Sequence, residues 1–234
     1  MSQIREGRLA ELDSLKALAL VMMLVSNFVS DLNFFKIMVV SEGDPWWYRS
    51  RTTASLFVGI SGISYYLANR NNSDFYRVLI RTRKLIFWAF VITAVTFFFQ
   101  PGAYIRFGVL HLLAFASIVA FPLVKKPFFA FLVGFSLFFL PLSSSSISVW
   151  FGLRETGFHA VDYFPLNPWL GLFFASMALA KYIYPEGKSL TKFEWPEQWL
   201  WLGRNTLMIY VFHQPFLIGT MLLTGIIGFD QVLD

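Results

Sequence analysis

The chain has 234 residues, 56% hydrophobic and 19% aromatic with only 14% charged, a balance too apolar for a water-soluble domain of this size. Cysteine is absent, which excludes disulfides, thiolate nucleophiles and cysteine metal sites. The net charge of +5 is no argument for nucleic acid, because in a membrane protein the placement of basic residues matters more than their sum.

Residues 11–35, ELDSLKALALVMMLVSNFVSDLNFF, contain an apolar core at 15–32. Its length approaches the roughly 20 residues that a helix needs to cross a hydrocarbon layer of about 30 Å. It reads as a first span rather than a cleavable signal, since no small-x-small site follows it and further spans do. Lys16 lies near its start, Ser26 and Asn27 deep inside it and Asp31 close to its far end. Polar groups at such depths are costly unless they face protein or water, so each is a functional candidate.

Residues 36–51, with Glu42, Asp44, Pro45, Trp46 and Trp47, suit a loop at headgroup level. The second span, 52–67, places Ser55, Gly59 and Gly62 on one face, where small side chains admit a close neighbour. The first span is the expected neighbour, because short connections join adjacent helices. Residues 69–84 hold Arg70, Arg77, Arg81, Arg83 and Lys84, the densest basic cluster of the chain. Spans three to five follow at 85–99, at 105–124 with His111, and at 128–142. A polar segment, 143–167, carries Arg154, Glu155, His159 and Asp162. Pro168 suits the first turn of a sixth span at 169–184. Residues 186–201 alternate Trp195, Trp199 and Trp201 with Lys192, Glu194 and Glu197, as an interfacial amphipathic helix does. The seventh span, 202–229, encloses His213, Gln214 and Pro215.

The expected fold is therefore all-α: a polytopic membrane protein, a single domain over 1–234 built as a bundle of about seven transmembrane helices. Of the 19 Lys and Arg, only Lys36, Arg49, Arg51, Arg106 and Arg154 fall on the far side in this layout, which puts the N-terminus in the cytoplasm and the C-terminus outside. No internal repeat is evident, which argues against an inverted-repeat transporter.

Counting along the helices puts Asn27 about 18 Å from the inner edge, His111 about 8 Å from the outer edge and His213 near the midplane. The three are candidates to line one cavity in the outer half, with Asp31 and Arg106 at its mouth. Each also has a plainer reading as an interhelical hydrogen-bond partner, worth about 0.6 to 2 kcal/mol. For Asp31 the plain alternative is a pair with Arg106, Arg49 or Arg51. The basic cluster, with Lys16, is a candidate site for a polyanionic co-substrate, since guanidinium groups bind phosphates bidentately; positive-inside topology is its plain alternative. The three histidines lack the spacing of a metal site, and no metal is expected.

The stretches LDSLKALALVMMLVSNF, SLFVGISGISYYL, IRFGVLHLLAFASIVAFPL, DYFPLNPWLGLFFASMALAK and LGRNTLMIYVFHQP occur in this order between residues 12 and 216. Together they resemble the heparan-alpha-glucosaminide N-acetyltransferase catalytic-domain family and its prokaryotic relatives. Where relatives often show Arg-Gly this chain has Lys16-Ala17, and many put His where Asn27 stands. The resemblance implies a multi-pass enzyme of a prokaryotic plasma membrane that transfers an acyl group, typically acetyl from cytoplasmic acetyl-CoA. The implied acceptor is a hydroxyl or amine, carbohydrate-like, reached from the other side. It makes Asn27, His111 and His213 active-site positions. The reading of the residues themselves adds Asp31 to the site and has phosphates held by some of Lys16, Arg70, Arg77, Arg81, Arg83 and Lys84. A histidine would serve as general base and Asn27 as oxyanion donor, by direct transfer or through an acyl-histidine. Membrane lipid and acyl-CoA are the expected partners, with a homo-oligomer left open and no nucleic acid. The competing readings are a carrier or flippase that uses the same cavity without chemistry, and a small helical subunit of a larger complex.

Overall fold

A computed structural model describes residues 9–41, 43–71, 74–102, 104–139, 146–153, 162–228 and 230–231. Among them are eight α-helices and no strand: α1 Ala10–Phe34, α2 Pro45–Asn69, α3 Phe75–Phe99, α4 Val109–Val119, α5 Pro127–Ser136, α6 Leu166–Ile183, α7 Glu197–Arg204 and α8 Thr206–Leu223. Two of these, α1 and α8, are both long and apolar enough to cross a membrane. The short apolar helices α4 and α5 reach only about 16 Å each at 1.5 Å per residue. Arg154, Glu155 and His159 lie outside the described residues.

The chain divides into two compact units, one made of residues 1–57 and 188–234, the other of 58–187. In the first, α1 packs along α7 and α8. Glu11 and Asp13 lie in the first turn of α1, where carboxylates complement the helix dipole. Glu11 also ties down the connection before α7: its carboxylate accepts the Ser189 hydroxyl at 2.5 Å and the Leu190 N–H at 2.8 Å. Asp13 is fully buried, 3.8 Å from Lys16 Nζ and 3.6 Å from Arg204 Nε, and Arg204 also reaches Glu197. Trp199 donates its indole N–H to Ser14 at 2.8 Å.

In the second unit α5 packs along α6, and α4 touches both α3 and α6. Phe173, Phe174 and Met177 of α6 and Leu112 of α4 are fully buried in its core. Gly59 and Gly62 are the small positions expected to admit α1, but the helix they admit is α6. A Cβ on Gly62 would stand 2.4 Å from the Phe173 carbonyl oxygen, and one on Gly59 3.2 Å from Ser176 Oγ. Close approach followed the small face, while the partner came from far along the sequence.

Several element boundaries differ from the sequence reading, each for a local reason. Helix α2 begins at Pro45, inside the expected loop, because proline suits a first turn. Helix α3 starts ten residues early: Asp74 caps it by accepting the Tyr76 N–H at 3.0 Å, so Arg77, Arg81, Arg83 and Lys84 ride on helical turns instead of a loop. The expected helix at 186–201 is irregular up to Pro196, which cannot sit in a helix interior, and only α7 forms beyond it. Helix α8 ends six residues early. Gly225, at φ 70°, lets the Ile226 N–H reach the Met221 carbonyl and its own N–H the Leu222 carbonyl, a Schellman stop.

Candidate active site

In the first unit the polar side chains of α1 and α8 meet as two rungs. Asn27 Nδ2 lies 2.6 Å from His213 Nε2. One turn along α1, Asp31 Oδ1 accepts the Gln214 side-chain amide, also at 2.6 Å. The apolar turns on either side pack the two helices together, and neighbouring positions on α8 bring both partners to the same face of α1.

Chemistry fixes the tautomer of His213. Its Nδ1 contacts the Tyr210 carbonyl oxygen, which can only accept, so Nδ1 carries the proton. Neutral His213 therefore keeps its lone pair on Nε2, where the Asn27 amide donates to it. The result is a buried imidazole locked from both ends, with its basic nitrogen turned to α1. Pro215 has no N–H to offer the Val211 carbonyl, so the regular helical bond is missing on the same stretch of helix.

His111 belongs to the second unit and has a different setting. Gly108 precedes α4, and its N–H donates to His111 Nδ1 at 3.2 Å. That leaves the proton on Nε2, which lies 3.2 Å from Thr93 Oγ1, and Thr93 in turn donates to the Ile105 carbonyl at 2.8 Å. Both ring nitrogens thus secure the start of α4 and its attachment to α3, as a third-position side chain does when it reaches back to a cap. Substituting His111 with alanine is expected to lower stability by about 1–3 kcal/mol, since Gly108 N–H and Thr93 lose buried partners. Thermal unfolding in detergent is the check.

The basic candidates separate by what they already hold. Arg70 donates to the Tyr184 and Pro185 carbonyls at 2.8 and 2.9 Å and so closes the C-terminal end of α6. Arg77 pairs with Asp74 at 3.5 Å, and Lys16 stands beside Asp13. Arg81, Arg83 and Lys84 are exposed. Asp31 has Gln214 as its partner, while Arg49 and Arg51 lie over the Trp46 and Trp47 rings at 5.1 and 4.4 Å, and Arg106 over Tyr104 at 4.8 Å. The sequence reading named Gln214 without a role, and it missed both Arg204 and the Tyr210 carbonyl.

The family model for the catalytic region of heparan-alpha-glucosaminide N-acetyltransferase matches residues 8–215, nearly the whole chain. The chain belongs to this family. No curated protein and no solved structure matches it. The acetyltransferase match ends at Pro215, so both rungs lie inside it. Acyltransferase activity is accordingly the general class of the chain, and an acyl-CoA-type co-substrate goes with it.

Proposed function

We propose that the protein is a multi-pass membrane acetyltransferase that takes the acetyl group of acetyl-CoA from the cytoplasmic side and passes it to a hydroxyl or amine acceptor at the outer side. The observation that carries this reading is the Asn27–His213 pair: an oriented neutral imidazole, its basic nitrogen held by an amide, in a chain of acetyltransferase family.

In the reaction the acceptor O–H or N–H takes the place of the Asn27 amide at His213 Nε2. His213 removes the proton as the acceptor attacks the thioester carbonyl carbon. The released Asn27 amide turns its N–H toward the oxygen of the tetrahedral intermediate, where one donor contributes a factor of about 10² to 10³. The C–S bond then breaks, and the proton on Nε2 passes to the departing thiolate. Transfer is direct, because Nε2 already serves as the proton carrier. Arg81, Arg83 and Lys84, whose charges remain outward, are the phosphate-binding candidates of the second unit.

The test is acetyl-CoA turnover by the purified protein in nanodiscs. An Arg81→Ala/Arg83→Ala variant is expected to raise the donor KM by about tenfold or more, since charged hydrogen bonds contribute about 1.5–3 kcal/mol each. Transport of a solute in liposomes with no dependence on acetyl-CoA would instead favour a carrier.

A further inference from the structure

The two rungs leave one charged acceptor unmatched. Asn27 gives an amide N–H to His213 and Gln214 gives one to Asp31 Oδ1. Asp31 Oδ2 is buried with no hydrogen-bond partner among the described residues, and Pro215 offers the Val211 carbonyl no N–H. Asp31 itself is only 8% exposed. An ionised carboxylate so enclosed, with one of its oxygens unmatched, is costly by itself, since a buried acceptor left empty forfeits its solvation. Ser26 Oγ is also buried and unmatched, but five residues from Asp31 it points about 140° away around α1 and belongs elsewhere.

We infer that Asp31, steered by Gln214, anchors the acyl acceptor by receiving a hydrogen bond on Oδ2 from a hydroxyl or ammonium group that does not itself react. The inference rests on the acyltransferase reading for the word acceptor, while the binding it describes needs no donor. It also makes the site hostile to anions: a carboxylate or phosphate at Oδ2 would meet like charge. Asp31 is thus a positioning residue, and His213 keeps the proton transfer.

Three probes on one ring separate the chemistries: cyclohexanol, cyclohexylamine and cyclohexanecarboxylate, titrated into the full chain in nanodiscs with tryptophan fluorescence as readout. The wild type is expected to bind the alcohol or the amine at least about tenfold more tightly than the carboxylate. Asp31→Asn is isosteric and tests charge; Asp31→Leu removes hydrogen bonding altogether. An ammonium ligand loses about tenfold or more with either variant, and a hydroxyl ligand loses it only with Asp31→Leu. Should Asp31→Leu fail to fold, the fall in the preference over carboxylate in Asp31→Asn still decides. Equal binding of all three probes, binding of none, or no change in either variant would overturn the proposal. If the probes bind through Asp31 while acetyl-CoA is never turned over, the acyltransferase reading falls and the anchor stands. If acetyl transfer proceeds and Asp31→Asn and Asp31→Leu leave the acceptor KM unchanged, the anchor alone falls.

Discussion

Replacing His213 with alanine is expected to lower the rate of acetyl transfer by about 10²- to 10⁴-fold, the range in which a positioned general base contributes. The protein should still fold: an interhelical hydrogen bond in a membrane is worth only about 0.6 to 2 kcal/mol, less than the apolar packing along α1 and α8. Asn27→Ala removes the oxyanion donor and the group that orients Nε2, and it should fall by about 10²- to 10³-fold. The two side chains share one hydrogen bond, so their effects should not add; the double variant is expected close to His213→Ala alone. Single-turnover transfer of radiolabelled acetyl, alongside unfolding temperatures for each variant, separates chemistry from stability. Full activity in His213→Ala would remove the imidazole from the mechanism.

Gly203→Ala is expected to be among the most damaging single substitutions in the chain. Its Cβ would stand 1.8 Å from the Asp13 carbonyl oxygen, 2.7 Å from that carbon and 3.1 Å from the Asp13 Cα. All three are backbone atoms of α1, so no side chain can rotate aside, and α7 must lift away. The displacement would also open the buried Asp13 and the ion pair it makes with Arg204. A loss above about 3 kcal/mol is expected, beyond the usual range of overpacking because the obstacle is rigid. Gly219→Ala is the contrast: in α8 nothing lies within 4 Å of the added carbon, and alanine suits a helix better by about 0.5–1 kcal/mol. The yield of monodisperse protein from detergent, together with its unfolding temperature, distinguishes the two.

The helices themselves were legible because apolar runs of suitable length admit little else, and the positions of Asn27, Asp31 and His213 stood out as polar groups within them. Their pairing was not legible. Asn27 and His213 are 186 residues apart, and Asp31 and Gln214 are 183 apart, separations that leave no trace in local periodicity. Helix ends were missed where short capping signals were overlooked: Asp74 ahead of a basic run, Gly225 within an apolar one. For His111 the signal was present in the spacing, since a histidine three residues after Gly108 sits where a side chain folds back on a helix start. The basic cluster illustrates a different gap: composition counts charges, but only coordinates reveal that Arg70 is bound to carbonyls and Arg77 to a carboxylate.

The first unit is assembled from both ends of the sequence, and this sets an order of events during synthesis. The continuous segment 58–187 can complete its packing as it leaves the ribosome, whereas α1 must wait for about 160 further residues before α7 and α8 begin. Over that interval Asn27 and Asp31 lack His213 and Gln214, and Asp13 lacks Arg204, in the one environment where unmatched polar groups are least tolerated. The newborn first helix is therefore a natural client for insertion chaperones, and a chain cut short before residue 197 would leave it stranded.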